Sequence, residues 1–246
     1  MKVGIGIVCI GDSYLKDFET TFKPSVVSYA QRHGYQLKIF TDFLDSKHKH
    51  SNVISFQKCI VPENMIEYDT ILVMDADIWL SQSAPPIPDT GELIGIVNEA
   101  QQLSPELYNK IGFASQPTEY YKLSGFDIQT DKILNTGFFI CKPSHHAKFM
   151  RDIYDKYIIN SIKHQRGFHY EQSCIGYELQ KNNCFTLIPN TWNTIYIFYS
   201  ALNIPHPQVY GMHFAGLKSF EIIHSELRRY LTIHIKKGIF RWGISK

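Results

Sequence analysis

The sequence predicts an α/β domain in which buried strands alternate with helices, and three stretches carry that expectation. The chain opens strand–helix–strand between Val3 and Phe40. In the middle lies the apolar run Ile71-Leu72-Val73-Met74, whose length and β-branched content suit a strand buried on both faces. Further on, the strand-like segment Leu134–Cys141 leads directly into a helix opened by Pro143. With 246 residues, 44% of them hydrophobic, the chain can bury one large core.

Each element has its own signal. Val3–Ile10 reads as a first strand. From Tyr14 to His33 the residues Phe18, Phe22, Val26, Val27, Tyr29 and Ala30 recur at helical spacing, and Pro24 breaks the pattern into two short helices or one broken one. Gly34 stops the helix and Tyr35–Phe40 forms a second strand. The glycines of Gly4-Ile5-Gly6 fall inside the first strand, so this is not the dinucleotide-binding fingerprint, which needs a further glycine opening a helix. Asp45–Asn52 is a polar loop with His48 and His50 on a solvated surface, and Ser55–Ile66 is a helix carrying Lys58. After Leu80 comes a proline-dense loop, then a strand at Leu93–Asn98. Gln101–Gln129 is long for a loop and reads either as a lid or acceptor surface or as a hidden short helix. Pro143–Asn160 and Glu171–Gln180 are helices separated by a turn at Gly167–Tyr170. Cys184–Ile188 is a short strand, and Val209–Phe214 is the last.

Composition excludes several classes. A formal net charge of +2 gives no global pointer to nucleic acid or to an acidic substrate. The five cysteines are scattered and odd in number, with no C-x-x-C pair, so neither a disulfide framework nor a cysteine zinc site is supported. A reducing, cytoplasmic setting is the simpler expectation. The N-terminal apolar segment is short, contains two glycines and shows no cleavage site, so it reads as a strand rather than a signal peptide. No run reaches the roughly 20 apolar residues of a membrane helix.

The chemistry centres on Asp75 and Asp77, which end the central run with one small residue between them. Carboxylates are costly to desolvate, so a pair at the tip of a buried strand needs a metal, a hydrogen-bond network or water. Ligands of open α/β sheets also bind at the carboxyl ends of the strands. An Asp-x-Asp alone is weak evidence, but three downstream motifs accompany it. These are Asn135-Thr136-Gly137 at a strand start, Glu171-Gln172-Ser173 at a helix start, and His213-Phe214-Ala215-Gly216-Leu217-Lys218 after the last strand.

Taken in this order, the motifs resemble those of retaining glycosyltransferases of the GT-A fold, above all glycosyltransferase families eight and thirty-four. The resemblance spans Val3 to about Lys218. It implies a GT-A domain over residues 1–222, with a mixed, mainly parallel central sheet flanked by helices. It implies that Asp75, Asp77 and His213 hold Mn²⁺ or Mg²⁺, a ligand set that suits Mn²⁺, and that Lys218 assists the leaving diphosphate. Glu171 and Gln172 resemble the residues nearest the sugar, where Glu171 binds hydroxyls, steadies an oxocarbenium-like transition state or serves as a transient nucleophile. Tyr14, Lys58, Asp75, Asn135, Gly216 and Lys218 are the residues expected to line the nucleotide-sugar site, with Asn135 open to a purely structural role. Trp192 and Asn193 face the acceptor or merely pack. The run Tyr170-Glu171-Gln172 departs from the Asp-Asp-Gln of family thirty-four. The Pro-Trp that often follows in family eight is replaced by Ser219-Phe220.

The activity so implied is transfer of a hexose or pentose from a UDP-sugar, or another nucleoside diphosphate sugar, to a glycan or glycolipid hydroxyl with retention. Three alternatives stand beside it: an inverting enzyme of the same fold, a non-catalytic sugar-nucleotide binder, and a haloacid-dehalogenase-type phosphatase using Asp75 as nucleophile. The phosphatase fits poorly, because Ile78-Trp79-Leu80 stands where a small flexible turn is wanted. Residues 223–246 form a basic, aromatic-bearing amphipathic tail that reads either as an ordinary packing helix or as a peripheral contact with the inner face of a membrane.

Overall fold

The computed structural model describes residues 1–111, 116–164, 170–203, 207, 209–216 and 225–229. Its central sheet has six strands: β1 (Val3–Val8), β2 (Gln36–Phe40), β3 (Thr70–Met74), β5 (Ile94–Asn98), β6 (Leu134–Cys141) and β7 (Phe185–Leu187), with β4 (Ile78–Leu80) lying outside it. Their spatial order is β2-β1-β3-β6-β5-β7. β1 runs parallel to both neighbours and β5 runs parallel to β7, whereas β6 is antiparallel to β3 and to β5. The sheet is therefore mixed and mainly parallel. Because β6 runs backwards, its first residues sit at the edge where β3 and β5 finish. Asn135-Thr136-Gly137 are thereby brought to the tip that carries Asp75 and Asp77.

The central strand is buried on both faces, as its residue content predicts. Leu72 and Met74 join the core that includes Phe18, Val26 and Phe138, while Ile71 and Val73 join the core that includes Phe56, Tyr154 and Ile175. Each such side chain contributes about 1.5–3 kcal/mol on burial, which holds the strand tip rigid under two costly carboxylates. On β1 the apolar residues Val3, Ile5 and Ile7 all face the first core. Its glycines face the other, where a Cβ on Gly6 would come within 2.5 Å of Val61 and 2.8 Å of Met65. They serve close packing of segment 55–65 onto the strand.

Helix α1 (Asp12–Thr21) and helix α2 (Lys23–His33) divide at Phe22, just ahead of Pro24, and Gly34 caps α2 in the left-handed conformation with φ 68°. Segment 55–66, expected as a helix, is instead a succession of 3-10 turns, at Ser55–Cys59 and Glu63–Met65. Pro62 has no N–H to continue an α-helical ladder. The stretch 101–129 contains two short helices, α3 (Pro105–Ile111) and α4 (Pro117–Leu123). α5 (Pro143–His164) and α6 (Tyr170–Lys181) cover the second core. The expected turn before α6 lies outside the described residues except for Tyr170.

The sequence reading missed a second, three-stranded sheet. β4 pairs antiparallel with β9 (Gly211–His213), which in turn pairs parallel with β8 (Thr194–Ile195). The chain passes from the central sheet into this one through Asp75-Ala76-Asp77. A further helix, α7 (Tyr196–Leu202), follows β8. Of the C-terminal tail, residues 225–229 are helical; Leu227 is buried in the first core and Glu226 accepts a hydrogen bond from Tyr196. Among the described residues no helix is long and apolar enough to cross a membrane.

Candidate metal centre

Asp75 and Asp77 stand at the junction of the two sheets, and neighbouring strands fix both. The Asp75 N–H donates to the Gly137 carbonyl at 2.8 Å, and the Asp77 carbonyl accepts from the Phe214 N–H at 3.1 Å. Since Ile78 pairs with His213, the imidazole of His213 is delivered beside both carboxylates. His213 Nε2 lies 3.2 Å from Asp77 Oδ1 and 3.9 Å from Asp75 Oδ2. One ligand atom from each of the three residues falls within 4.8 Å of the others.

This donor set fits a divalent cation. Two carboxylates and one imidazole match the mixed oxygen and nitrogen ligation that Mn²⁺ accepts. Asp77 Oδ1 is buried without an aligned hydrogen bond, although His213 stands close to it. A buried carboxylate oxygen in that state is costly, and a cation would remove the cost. Electrostatics tell the same story. Burial and the charge of Asp77 push the Asp75 carboxyl above its usual range, against the pull of Lys58. Burial also works on Asp77, but attraction to His213 outweighs it and holds that carboxyl low. Burial opposes charging of His213, yet Asp77 and then Asp75 raise it.

Lys58 is the second organising charge. Its ammonium, 6% exposed, lies 2.6 Å from Asp75 Oδ1 and 3.4 Å from Glu171 Oε1, and donates to the Thr136 carbonyl at 3.4 Å. Desolvation lowers its pKa, but Asp75 and Glu171 more than reverse this, so the ammonium stays charged. Thr136 Oγ1 also reaches Glu171 Oε1 at 3.4 Å. Glu171 sits in the first turn of α6, where the helix dipole favours a negative charge. The Tyr14 hydroxyl is kept protonated first by burial and then by the charges of Asp77 and Asp75.

A chain of amides closes the other side. Gln172 Nε2 donates to Glu99 Oε2 at 3.3 Å and to Tyr120 OH at 3.1 Å, leaving its Oε1 without a protein partner among the described residues. Asn135, 2% exposed, donates from Nδ2 to Glu99 Oε2 at 2.7 Å. Asn193 has no exposed surface and joins Asn135 to His213. Trp192 is 2% exposed and packs among Tyr29, Phe138 and Tyr210, so it does not face an acceptor. Gly216 takes φ 79° in the turn three residues past His213, and Lys218 lies outside the described residues.

Asp75, Asp77, His213, Lys58, Glu171, Gln172 and Asn135 are thus joined in one cluster, and Tyr14 feels the charges of its two aspartates. Thr136 belongs to it through the Asn-Thr-Gly motif, and Glu99 and Tyr120 belong to it as well and were not singled out from the sequence. Glu99 follows directly on β5, at a carboxyl strand end, and that rule alone could have marked it. Tyr120 lies on α4 and carried no comparable signal.

Structural comparison identifies the fold. The chain is similar to a glycosyltransferase involved in the glycosylation of the major capsid of PBCV-1, with a TM-score of 0.62 and 14% identity over 93% of this chain and 100% of that one. It is also similar to the galactosyltransferase LgtC, solved with donor and acceptor sugar analogs, with a TM-score of 0.53 and 12% identity over 95% of each chain. No protein-family model matches the sequence, and no curated protein matches it. At such identities the likeness establishes the architecture, which is GT-A.

Proposed function

We propose that the chain is a metal-dependent glycosyltransferase that moves a hexose or pentose from a nucleoside diphosphate sugar to a hydroxyl of a glycan or glycolipid. The observation that carries this is the Asp75–Asp77–His213 cluster at the carboxyl edge of a GT-A sheet. The two structural neighbours, both glycosyltransferases, support it. The phosphatase alternative gains nothing from this fold.

In this reading Asp75, Asp77 and His213 hold Mn²⁺ or Mg²⁺. Bound there, the cation supplies Lewis-acid stabilisation of the charge that develops on the departing diphosphate. Lys58 keeps the Asp75 carboxylate paired and turned inward while fixing Glu171 at the mouth of α6. Glu171 and Gln172 stand nearest the donor sugar. With both N–H groups of Gln172 committed to Glu99 and Tyr120, its Oε1 is the atom free to meet developing positive charge at the anomeric carbon. A weak, fixed acceptor of this kind suits retention better than inversion, which needs a base beside the acceptor hydroxyl. UDP is the proposed nucleotide, with Tyr14 a proposed contact to it, and Lys218 the proposed partner of the leaving phosphate. A glycolipid acceptor would be reached from the inner face of a membrane, to which the basic C-terminal residues would be drawn.

The test is release of UDP from a panel of UDP-sugars without acceptor, with Mn²⁺ and with EDTA. One sugar is expected to give EDTA-sensitive release, and the anomer formed in the acceptor reaction, read by NMR, is expected to retain configuration. Silence across the panel, with no calorimetric binding of UDP or GDP in the presence of Mn²⁺, would overturn the reading.

A further inference from the structure

The amide pair Asn135–Asn193 lies behind His213, and its orientation is fully determined by its neighbours. The Gly137 backbone N–H can only donate, and it donates to Asn135 Oδ1 at 3.0 Å. The other end of that amide, Nδ2, therefore faces the Glu99 carboxylate at 2.7 Å. Asn193 must then offer its own Nδ2 to Asn135 Oδ1, at 2.7 Å. This leaves Asn193 Oδ1 as the atom facing His213 Nδ1, at 3.0 Å. An oxygen there accepts, so Nδ1 carries the hydrogen.

The surroundings hold this chain in place. Gln102 Nε2 donates to the Asn193 carbonyl at 2.7 Å, and Gln102 Oε1 accepts from the Ile195 N–H at 2.8 Å, clamping the segment that bears Asn193. Gly137 has no room for a side chain, since a Cβ would sit 2.2 Å from His213 Cε1 and 2.8 Å from Nδ1. The Asn-Thr-Gly motif thus supplies a bonding amide and the space into which the imidazole fits.

We propose that Asn193, held by Asn135, keeps the hydrogen on Nδ1 of His213 and thereby presents the Nε2 lone pair to the cation. Asn193 is a positioning residue: it touches the ligand's far nitrogen. The inference rests on the metal reading above. Partners of this kind fix the tautomer and ring orientation of a metal-binding histidine, and their loss weakens metal affinity about 10–100-fold.

Two variants test it in the full chain. In metal-free, ¹⁵N-histidine-labelled wild type, NMR is expected to show a slowly exchanging Nδ1–H proton on His213, assigned by its disappearance in His213→Gln. Asn193→Ala is expected to lose that protected proton and to bind Mn²⁺ about 10–100-fold more weakly by calorimetry. Asn193→Asp, of nearly equal volume, still sets an oxygen against Nδ1 and, with its carboxyl protonated, donates to Asn135 Oδ1 in place of Nδ2; in that form it is expected to keep the Nδ1 proton and to bind within a few-fold of wild type. A protected Nδ1–H in Asn193→Ala, its absence in wild type or in Asn193→Asp, or equal Mn²⁺ affinity in wild type and Asn193→Ala overturns the proposal alone. A wild type that binds no Mn²⁺ overturns it together with the metal reading.

Discussion

Two buried polar networks in this molecule each start from an aspartate, and they end differently. Around Asp45 every group is answered from within the protein. One carboxylate oxygen accepts from the Lys47 N–H at 2.9 Å, and the other accepts from His48 Nδ1 at 2.6 Å and Tyr154 OH at 3.0 Å. Gln57 completes the set, accepting from the Leu44 and Asp45 N–H groups and donating to Tyr154 OH. These bonds outweigh the cost of burial and hold the Asp45 carboxyl below its usual range. At the sheet junction the balance is left open: Asp77 keeps an oxygen without an aligned donor, and the Asp75 carboxyl is pushed up. A closed network staples a loop to a helix. An open one holds carboxylates ready for something the protein does not itself contain.

The comparison predicts opposite responses to mutation. The largest effect should come from Asp77→Ala, which removes a proposed ligand and, of contacts within the protein, its 3.2 Å approach to His213. Its Mn²⁺ affinity is expected to fall by more than about 100-fold, beyond the range that outer partners command, while the thermal midpoint falls less than in Lys58→Met. Calorimetric titration alongside a melting curve checks both halves. A large loss of stability with little loss of affinity would make Asp77 a staple like Asp45. Lys58→Met comes next. It would leave Asp75 and Glu171 facing each other without their shared cation, and breaking such a pair costs about 3 kcal/mol, the low end for buried pairs, since Asp75 is 32% exposed. For a chain of this size that is a midpoint lowered by roughly 6–12 °C. An unchanged midpoint would mean that water already screens the two carboxylates.

The sequence makes the central sheet and its carboxylate tip readable for one reason: strands buried on both faces have long apolar runs, and these stop where the charges begin. β3 and β6 lie where those runs predict, and Pro24 and Gly34 punctuate α1 and α2 for steric reasons that need no tertiary context. Of the second sheet only β9 was legible, inside the expected strand Val209–Phe214, whereas its partners β4 and β8 are three and two residues long and were hidden. Strands so short have no readable period, and they exist only through pairing with one another. The same holds for the site. Asp75, Asp77 and His213 carry their chemistry in their side chains, whereas Glu99 and Asn193 gain a role only from the partners that folding places beside them. Segment 55–66 shows the limit from the other side: Pro62, inside the expected helix, was legible as a breaker, whereas the packing onto Gly4 and Gly6 that accompanies its 3-10 turns was not.

Asp45→Asn is the smallest of the three expected changes and the one that separates the networks by pH. The amide keeps the carboxylate's shape but loses its charge and turns one acceptor into a donor. With the side chain 8% exposed, water cannot make good the difference. The expected cost at neutral pH is about 2 kcal/mol, within the range for leaving a buried bond unmade. The folded-state pKa of Asp45 is depressed, so the wild-type advantage exists only where the carboxylate is ionised in both folded and unfolded chains, above about 3.9. Below that value the unfolded chain protonates first, and the advantage shrinks until the folded carboxyl protonates too. Urea denaturation of wild type and variant should therefore show a gap that closes as the pH falls from about 3.9 to the depressed folded value. Mn²⁺ binding should be the same in both proteins, because no side-chain bond among the described residues joins this network to the one at the sheet junction. A gap that widened in acid would mean that Asp45 is held neutral in the fold, and the contrast between the closed and the open network would be lost.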